Sequence, residues 1–199
     1  LYQRNGFSTS SLILILDNFD SFTYNLVDYF GQLNVKTEVE RNNVAIDSIN
    51  FSKYSGIVLS PGPEKPEKAG ILLEVVKSQI GQTPILGICL GHQAIGQHLG
   101  ASLRKANYPM HGKISRIKTK EAVIFSGLPN EFDVVRYHSL VLQNLPSNLS
   151  SIAQTKEGEL MAFENVELKV TGIQFHPEAI LTQHGLEMLK NWVSFYNIV

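Results

Sequence analysis

The sequence predicts an α/β fold: a mostly parallel open sheet with helices on both faces, a strand–turn–helix elbow, and antiparallel strands in its second half. In the first half, apolar runs alternate with segments of helical periodicity in the order β-α-β-β-α-β-α. This alternation is typical of a parallel sheet covered by helices. In the second half, short strand-like segments follow one another with only turns between them, which favours antiparallel pairing.

The first strand and helix are predicted near the start of the chain. Leu12–Leu16 is a continuous apolar run, as expected of a strand buried on both faces. The segment that follows has helical spacing of apolar side chains, and Asp20 or Ser21 can cap its first turn. Its apolar positions are Phe22, Leu26, Tyr29, Phe30 and Leu33.

Three more strands and two helices complete the first half. Val35, Thr37 and Val39 alternate with charged residues, which predicts a strand nearer the edge of the sheet. The strand Gly56–Leu59 ends in a Pro-Gly-Pro turn, and a helix from about Glu67 to Gln79 follows. The strand at 84–88 leads into the elbow and its helix.

The second half is predicted as a series of strands closed by a helix. Some of these strands should extend the main sheet in antiparallel fashion or form a small side sheet. We expect strands at 101–105, 112–118, 123–125, 132–137, 152–155, 160–164 and 168–175, and a last helix at about 182–196. Residues 12–199 are therefore predicted to be one domain, and the polar, aperiodic residues 1–11 are interpreted as a leader or an expression remnant.

The only cysteine of the chain lies in the segment Gly87-Ile88-Cys89-Leu90-Gly91, between the apolar strand and the helix. A sharp turn here would hold the thiol on a strained backbone, and the glycines would let strand and helix approach without Cβ clashes. The nearby helix N-terminus favours the thiolate. A lone cysteine on a strand is more often a buried structural residue, but this arrangement favours a nucleophile.

A second candidate segment, His176-Pro177-Glu178, follows the last predicted strand. A histidine and a carboxylate separated by a rigid proline can supply a base and the group that orients it. Alone the pair is weak evidence, because a histidine near a glutamate is more often a surface pair. Together with Cys89, it fits a cysteine nucleophile whose histidine is distant in sequence and near in space.

These two segments resemble the signature motifs of the class I glutamine amidotransferases. More narrowly, the chain resembles the small, glutamine-hydrolysing subunit (component II) of anthranilate synthase and of para-aminobenzoate (aminodeoxychorismate) synthase. The resemblance runs from about Leu12 to the C-terminus. Four further segments support the narrower match: Leu16–Leu26, Leu59–Pro63, Met110–Lys113 and Arg136–Leu140.

The resemblance implies hydrolysis of the side-chain amide of L-glutamine by a Cys-His-Glu triad. Cys89 would attack the amide carbon, His176 would act as general base and acid, and Glu178 would orient the imidazole. The oxyanion of the tetrahedral intermediate would be bound by two backbone N–H groups. The elbow places that of Leu90, and the resemblance assigns the other to Gly62.

The resemblance also implies the contacts with glutamine. Gln93, one helical turn after the cysteine, would bind the glutamine side, and the backbone of Ser139 and Leu140 would meet the α-amino and α-carboxylate end. Pro63 and Glu64 belong to the same strand-end loop. The family usually has Pro-Gly-Pro-Gly there, and a glutamate resists the positive φ that the last glycine permits by roughly 1–2 kcal/mol.

Composition argues against several classes of function. A chain of 199 residues is long enough for one domain with a substantial core. A net charge of −1 and a pI of about 6.7 give no electrostatic signature for nucleic acid or an anionic membrane. One cysteine cannot form an internal disulfide, and no Cys/His cluster has zinc spacing. We therefore expect no metal, no cofactor, no nucleic-acid or membrane partner, and a cytoplasmic protein.

Ammonia made by such a chain needs an acceptor site, yet the sequence has no glycine-rich phosphate loop and no unassigned length for a second site. The resemblance therefore implies a partner, a chorismate-utilising synthase subunit (component I), with tryptophan, folate or both as the pathway. Amidotransferase subunits that serve GMP, CTP or carbamoyl phosphate synthesis share the triad, and Asn18–Thr23 favours the chorismate branch. A stand-alone peptidase or γ-glutamyl hydrolase, or a non-catalytic binding subunit, stays open.

Overall fold

The computed structural model describes residues 12–198, so the interpretation of residues 1–11 as a leader lies outside it. The described strands are β1 Leu12–Asp17, β2 Lys36–Arg41, β3 Gly56–Leu59, β4 Ile85–Ile88, β5 Ser102–Lys105, β6 Lys113–Thr119, β7 Glu131–Arg136, β8 Leu140–Gln143, β9 Ser150–Thr155, β10 Leu160–Asn165 and β11 Val170–Ile173. The described α-helices are α1 Thr23–Gln32, α2 Leu72–Gln79, α3 Leu90–His98 and α4 Gly185–Phe195.

Nine of the strands form one sheet in the order β2-β1-β3-β4-β11-β10-β9-β6-β7, and β5 pairs with β8 in a small side sheet. The strands from β2 to β11 are parallel, and those from β10 to β7 pair antiparallel. The predicted α/β fold is therefore confirmed, and both expected forms of antiparallel pairing are present. Ligands of such sheets bind beyond the carboxyl ends of the parallel strands.

Helices cover both faces of the parallel half. Ile13 and Ile15 of β1 pack in one apolar cluster with α1 and α4. The alternate residues Leu14 and Leu16 pack in a second cluster with α2 and α3. Because side chains alternate between the faces of a strand, burial on both sides requires apolar residues at every position. This explains the continuous apolar run in the sequence.

Two kinds of feature are absent from the described part of the chain. None of its helices is long and apolar enough to cross a membrane. Between residues 12 and 198, no group of three or more His, Cys, Asp and Glu side chains could hold a metal ion.

Two assignments in the second half were wrong. Residues Val123–Phe125 form a 3₁₀ turn and not a strand, because their backbone bonds are local and Ile124 and Phe125 are buried in the cluster beside α4. The strand β8 was not predicted, although it pairs with β5 over four residues. Its partner lies far away in sequence, so neither periodicity nor a turn signal indicated it.

The helix predicted from Glu67 to Gln79 is interrupted. A 3₁₀ turn at Pro66–Lys68 precedes α2, which begins only at Leu72. Between them Gly70 has φ +52°, and a Cβ on it would lie 2.0 Å from the carbonyl oxygen of Asn42. The chain turns here because Gly70 packs on this carbonyl, which accepts a hydrogen bond from the N–H of Ile71 at 2.8 Å.

The ends of two other helices differ from the prediction. The N-cap of α1 is Phe22, and the Asp20 carboxylate accepts a hydrogen bond from the Phe22 N–H at 2.8 Å, so Asp20 lies two residues before the N-cap. Helix α4 begins at Gly185 and not near Thr182. The side chain of Thr182 instead bonds to the backbone of β7 and of His176.

Substitution of Gly70 tests the break before α2. Gly70→Ala should destabilise the fold by at least about 3 kcal/mol, because it adds a clash with a backbone carbonyl to the strain of a positive φ. Gly81→Ala is the matched control: Gly81 also has positive φ, +77°, but nothing lies within 4 Å of a Cβ there. It should cost only about 1–2 kcal/mol. Urea unfolding measures both, and equal losses would contradict this account.

Candidate active site

The cysteine lies on a sharp turn between β4 and α3. Cys89 has φ +50° and ψ −96°, a conformation that L residues rarely adopt. Such a backbone costs about 1–3 kcal/mol and persists only where its surroundings hold it. Here the N–H of Cys89 donates to the carbonyl of Ile173 at 2.8 Å, which joins the turn to the end of β11. The predicted elbow is present.

The glycines on either side of the turn are required by close packing. A Cβ on Gly87 would lie 2.5 Å from the carbonyl carbon and oxygen of Gly91. A Cβ on Gly91 would lie 2.4 Å from the carbonyl oxygen of Leu59 at the end of β3. Since these neighbours are backbone atoms, they cannot rotate away. The role inferred for the glycines from the sequence is confirmed.

A buried histidine and glutamate follow β11. The Nδ1 atom of His176 lies 2.7 Å from Oε1 of Glu178, and each residue is at most 2% exposed. Burial lowers the pKa of His176, but the Glu178 carboxylate and the nearby Cys89 raise it by more, so the pKa lies well above its ordinary value. Within residues 12–198, Nε2 of His176 is buried and makes no hydrogen bond of ordinary geometry.

Neighbouring elements fix the position of His176. Its N–H donates to the carbonyl of Val135 at 3.1 Å, and its carbonyl accepts from the Thr182 hydroxyl at 2.6 Å. The Tyr137 and Phe22 rings meet the imidazole nearly edge-on, with centroids 5.1 and 5.7 Å away. Val135, Tyr137 and Phe22 come from distant parts of the chain, and sequence reasoning missed their contacts with His176.

A cavity of about 130 Å³ opens beside the cysteine. It brings together seven predicted site residues with two that were not predicted, Tyr137 and His138. The lining residues are Gly62, Pro63, Glu64, Cys89, Gln93, Tyr137, His138, Ser139 and Leu140. Leu90 does not line it but is buried as the first residue of α3, and His176 and Glu178 do not line it either. Larger clefts at the antiparallel end of the sheet contain none of these residues.

Buried amides support the loop that contains Gly62. The N–H and side-chain amide of Asn18 donate to the hydroxyl and carbonyl of Ser60 at 2.8 and 2.9 Å, and Asn42 donates to the Asn18 side chain at 3.0 Å. A Cβ on Gly62 would lie 2.6 Å from that of Asn18, so only glycine fits. Glu64 has φ +62°. The loop therefore keeps the left-handed conformation inferred for that position, with a glutamate in place of glycine.

A second network supports the segment around Ser139. His138 lines the cavity beside Ser139. Burial and the neighbouring Arg136 lower the pKa of His138 to about 3, so its ring is neutral. Its Nε2 accepts from Nε of Arg136 at 3.0 Å, which leaves Nδ1–H to donate to the Leu140 carbonyl at 3.0 Å. The Arg136 guanidinium is itself paired with the buried carboxylate of Glu159.

Comparisons with known proteins show the family to which the chain is similar. The family model described as glutamine amidotransferase class-I matches residues 14–195. The aminodeoxychorismate/anthranilate synthase component 2 of Bacillus subtilis is 47% identical over 188 residues, which cover 93% of this chain and 97% of the relative. The anthranilate synthase component 2 of Pseudomonas aeruginosa is 45% identical over 190 residues, which cover 92% and 94%. A solved Thermoplasma acidophilum structure, provisionally named as part of a GMP synthase, matches with a TM-score of 0.84 at 28% identity and covers 94% of both chains.

Removal of the Glu178 charge should lower the pKa of His176, because burial would then act on the imidazole without its counter-charge. We expect the ring in Glu178→Gln to be neutral near pH 7, and a pH titration of its NMR signals measures this. Glu187→Gln, an exposed carboxylate on α4, is the control.

The same change should alter stability in a pH-dependent way. A raised histidine pKa stabilises the fold fully below the unfolded value of about 6.5, and this contribution is lost as the pH rises through the folded pKa. The destabilisation by Glu178→Gln should therefore be larger at pH 6 than at high pH. A cost that does not change with pH would contradict the pairing.

Proposed function

Because the chain belongs to the class I glutamine amidotransferases, we propose that it hydrolyses L-glutamine to glutamate and ammonia as the glutaminase subunit of a chorismate-utilising synthase. The synthase would be anthranilate synthase or aminodeoxychorismate synthase, the two activities in the names of its relatives. The observation that most directly supports the chemistry is the buried His176–Glu178 pair next to a cysteine on a strained elbow.

Cys89, His176 and Glu178 would each carry a separate part of the chemistry. Cys89 gives its proton to His176 and attacks the amide carbon, so that a C–S bond forms and the carbonyl oxygen becomes an oxyanion. The imidazolium then protonates the departing nitrogen, and ammonia leaves a γ-glutamyl thioester. A water molecule, deprotonated by His176, cleaves the thioester, releases glutamate and restores the thiol. Glu178 holds Nδ1 throughout, so that Nε2 faces the reaction.

Two backbone donors would stabilise the oxyanion. Leu90 is the first residue of α3, so its N–H has no acceptor within the helix. The Gly62 loop lines the cavity and lies against the Leu90 side chain, and the Asn18–Ser60 hydrogen bonds hold the loop in place. Loss of one such donor typically raises a barrier by about 3–4 kcal/mol.

The rest of the cavity would recognise glutamine. The backbone of Ser139 and Leu140 meets the α-amino and α-carboxylate groups, and the Gln93 amide meets the substrate side chain. Pro63 and Glu64 also line the cavity. The Leu140 carbonyl accepts hydrogen bonds from the Gln93 and His138 side chains. These bonds fix the backbone of the segment at 139–140 before glutamine binds.

The partner would dock at the edge of the sheet where the site opens. Large apolar side chains are exposed on loops that follow β1 and β11, at the carboxyl ends of both strands; they include Phe19, Ile180 and Leu181. Phe19 follows the buried Asn18, whose hydrogen bonds support the Gly62 loop. Contact with a partner at Phe19 would therefore act on the Gly62 loop through one residue, Asn18.

A cytoplasmic location, like the identity of the product, stays a prediction.

Replacement of the nucleophile separates the two half-reactions. Cys89→Ser should abolish glutamine-dependent product formation by the assembled synthase, because a serine hydroxyl is not ionised at neutral pH. Product formation from added ammonium salt should persist, because the acceptor site lies on the partner. Initial rates with each nitrogen source measure this. Glutaminase activity retained in Cys89→Ser would overturn the assignment.

Glutamine hydrolysis by the isolated chain should be weak and should rise at least several-fold with the synthase and chorismate. Ser21→Lys, on the exposed loop between β1 and α1, should reduce this stimulation, because a charged side chain would be buried in the interface. The control is Ser52→Lys, just before β3 and therefore at the opposite edge of the sheet. Full activity without any synthase would favour a stand-alone hydrolase.

A further inference from the structure

We propose that Gln174 is a further catalytic residue, whose side-chain amide donates a hydrogen bond to the sulfur of Cys89 and stabilises the thiolate. This inference rests on the proposed function. The Nε2 atom of Gln174 lies 3.6 Å from Sγ, within the range of hydrogen bonds to sulfur. Gln174 is fully buried, and its backbone N–H donates to the carbonyl of Met161 at 2.8 Å, so the side chain starts from a fixed point.

A main-chain carbonyl determines which end of the amide faces the sulfur. The Leu140 carbonyl can only accept, so the group of Gln93 that lies 3.1 Å from it must be its NH₂. The second hydrogen of that NH₂ points to the Gln174 side chain at 3.2 Å, which must present its oxygen. The NH₂ of Gln174 is then left for Cys89. The reverse orientation would place donor against donor and oxygen against the thiolate.

The Leu140 carbonyl is itself fixed from its other side. The Arg136 guanidinium has no acceptor atoms, so its contact with Nε2 of His138 makes Nε2 the acceptor and Nδ1 the donor. Nδ1–H then donates to the same Leu140 carbonyl. A continuous set of hydrogen bonds with a single possible polarity therefore links the segment inferred to bind the α-groups of glutamine to the nucleophilic sulfur.

A buried thiolate at Cys89 needs a hydrogen-bond donor, and the Gln174 amide supplies one. Cys89 is only 6% exposed, so water solvates its thiolate poorly. A buried anion without donors is costly, and hydrogen bonds to charged groups are stronger than those between neutral groups. The His176 imidazolium supplies the opposite charge, and the Gln174 amide supplies a neutral donor that persists after the histidine has given its proton away.

Among the described residues, the following ionisable groups surround the sulfur. His176 and Glu178 follow β11, Glu64 lies in the loop after β3, Tyr137 and His138 precede β8, and His92 lies on α3. Burial lowers the pKa of His92 and of His138 to about 3, so both stay neutral across the accessible pH range. None of these groups is removed by a change at Gln174, so a change in the pH dependence of the thiol reports on the amide itself.

The test is alkylation of Cys89 by iodoacetamide in the isolated chain, measured between pH 5 and 10 without glutamine or synthase. Cys89 is the only cysteine, so the signal has one source. Gln174→Met keeps the length of the side chain and removes the donor. We expect its alkylation rate at pH 7 to fall about tenfold and the midpoint of the profile to rise by about one pH unit. Gln79→Met, a buried glutamine on α2, should leave both unchanged.

A second variant separates the donor from the rest of the network. Gln174→Glu keeps the acceptor for Gln93 and replaces the donor with a carboxylate, so it should slow alkylation at neutral pH at least as much as Gln174→Met. Circular dichroism identifies the variants that fold, and either one suffices. A wild-type profile in a folded variant overturns the proposal. A second outcome separates the two proposals. If the alkylation profile of a variant shifts but the wild-type chain never hydrolyses glutamine, even with a synthase, the role of Gln174 at the sulfur is supported and the proposed function is refuted.

Discussion

The close approach of β4 and α3 is the constraint on which the site depends. Only glycine fits at positions 87 and 91, because a Cβ at either would meet backbone atoms. The same contact places Gly91 against the end of β3, from which the Gly62 loop begins. The N–H of Cys89 ties the turn to β11, which His176 follows. One tight turn therefore sets the relative positions of Cys89, the Gly62 loop and His176, the proposed nucleophile, oxyanion-binding loop and base.

Backbone strain at the site is offset by hydrogen bonds in its surroundings. Cys89 and Glu64 both have positive φ, and together they cost about 2–5 kcal/mol. The buried bonds of Asn18, Ser60 and Asn42 next to Glu64 each contribute about 1 kcal/mol. A glutamate can replace glycine at position 64 because this network over-determines the path of the loop. The departure from the family pattern therefore leaves the cavity wall intact.

Local patterns were sufficient to predict the parallel half of the sheet and the elbow. Continuous apolar runs mark strands buried on both faces, and the Gly-x-Cys-x-Gly frame marks a turn that excludes Cβ atoms. Several of the failures have a common cause. Strand β8, the break at Gly70, the Arg136–Glu159 pair and the contact of Gln174 with sulfur all depend on partners distant in sequence. No window of neighbouring residues contains the information that determines them.

The bond between Cys89 and Ile173 has a consequence for the biogenesis of the protein. β4 and β11 are neighbours in the sheet, but a long stretch of chain lies between them, and such non-local pairings form late in folding. A ribosome-bound chain that has not yet synthesised β11 lacks the acceptor for the Cys89 N–H, the Gln174 amide and the imidazole of His176. Its thiol is therefore an ordinary cysteine, with ordinary sensitivity to oxidants and electrophiles. The environment of the Cys89 thiol is therefore complete only when the nascent chain is nearly complete.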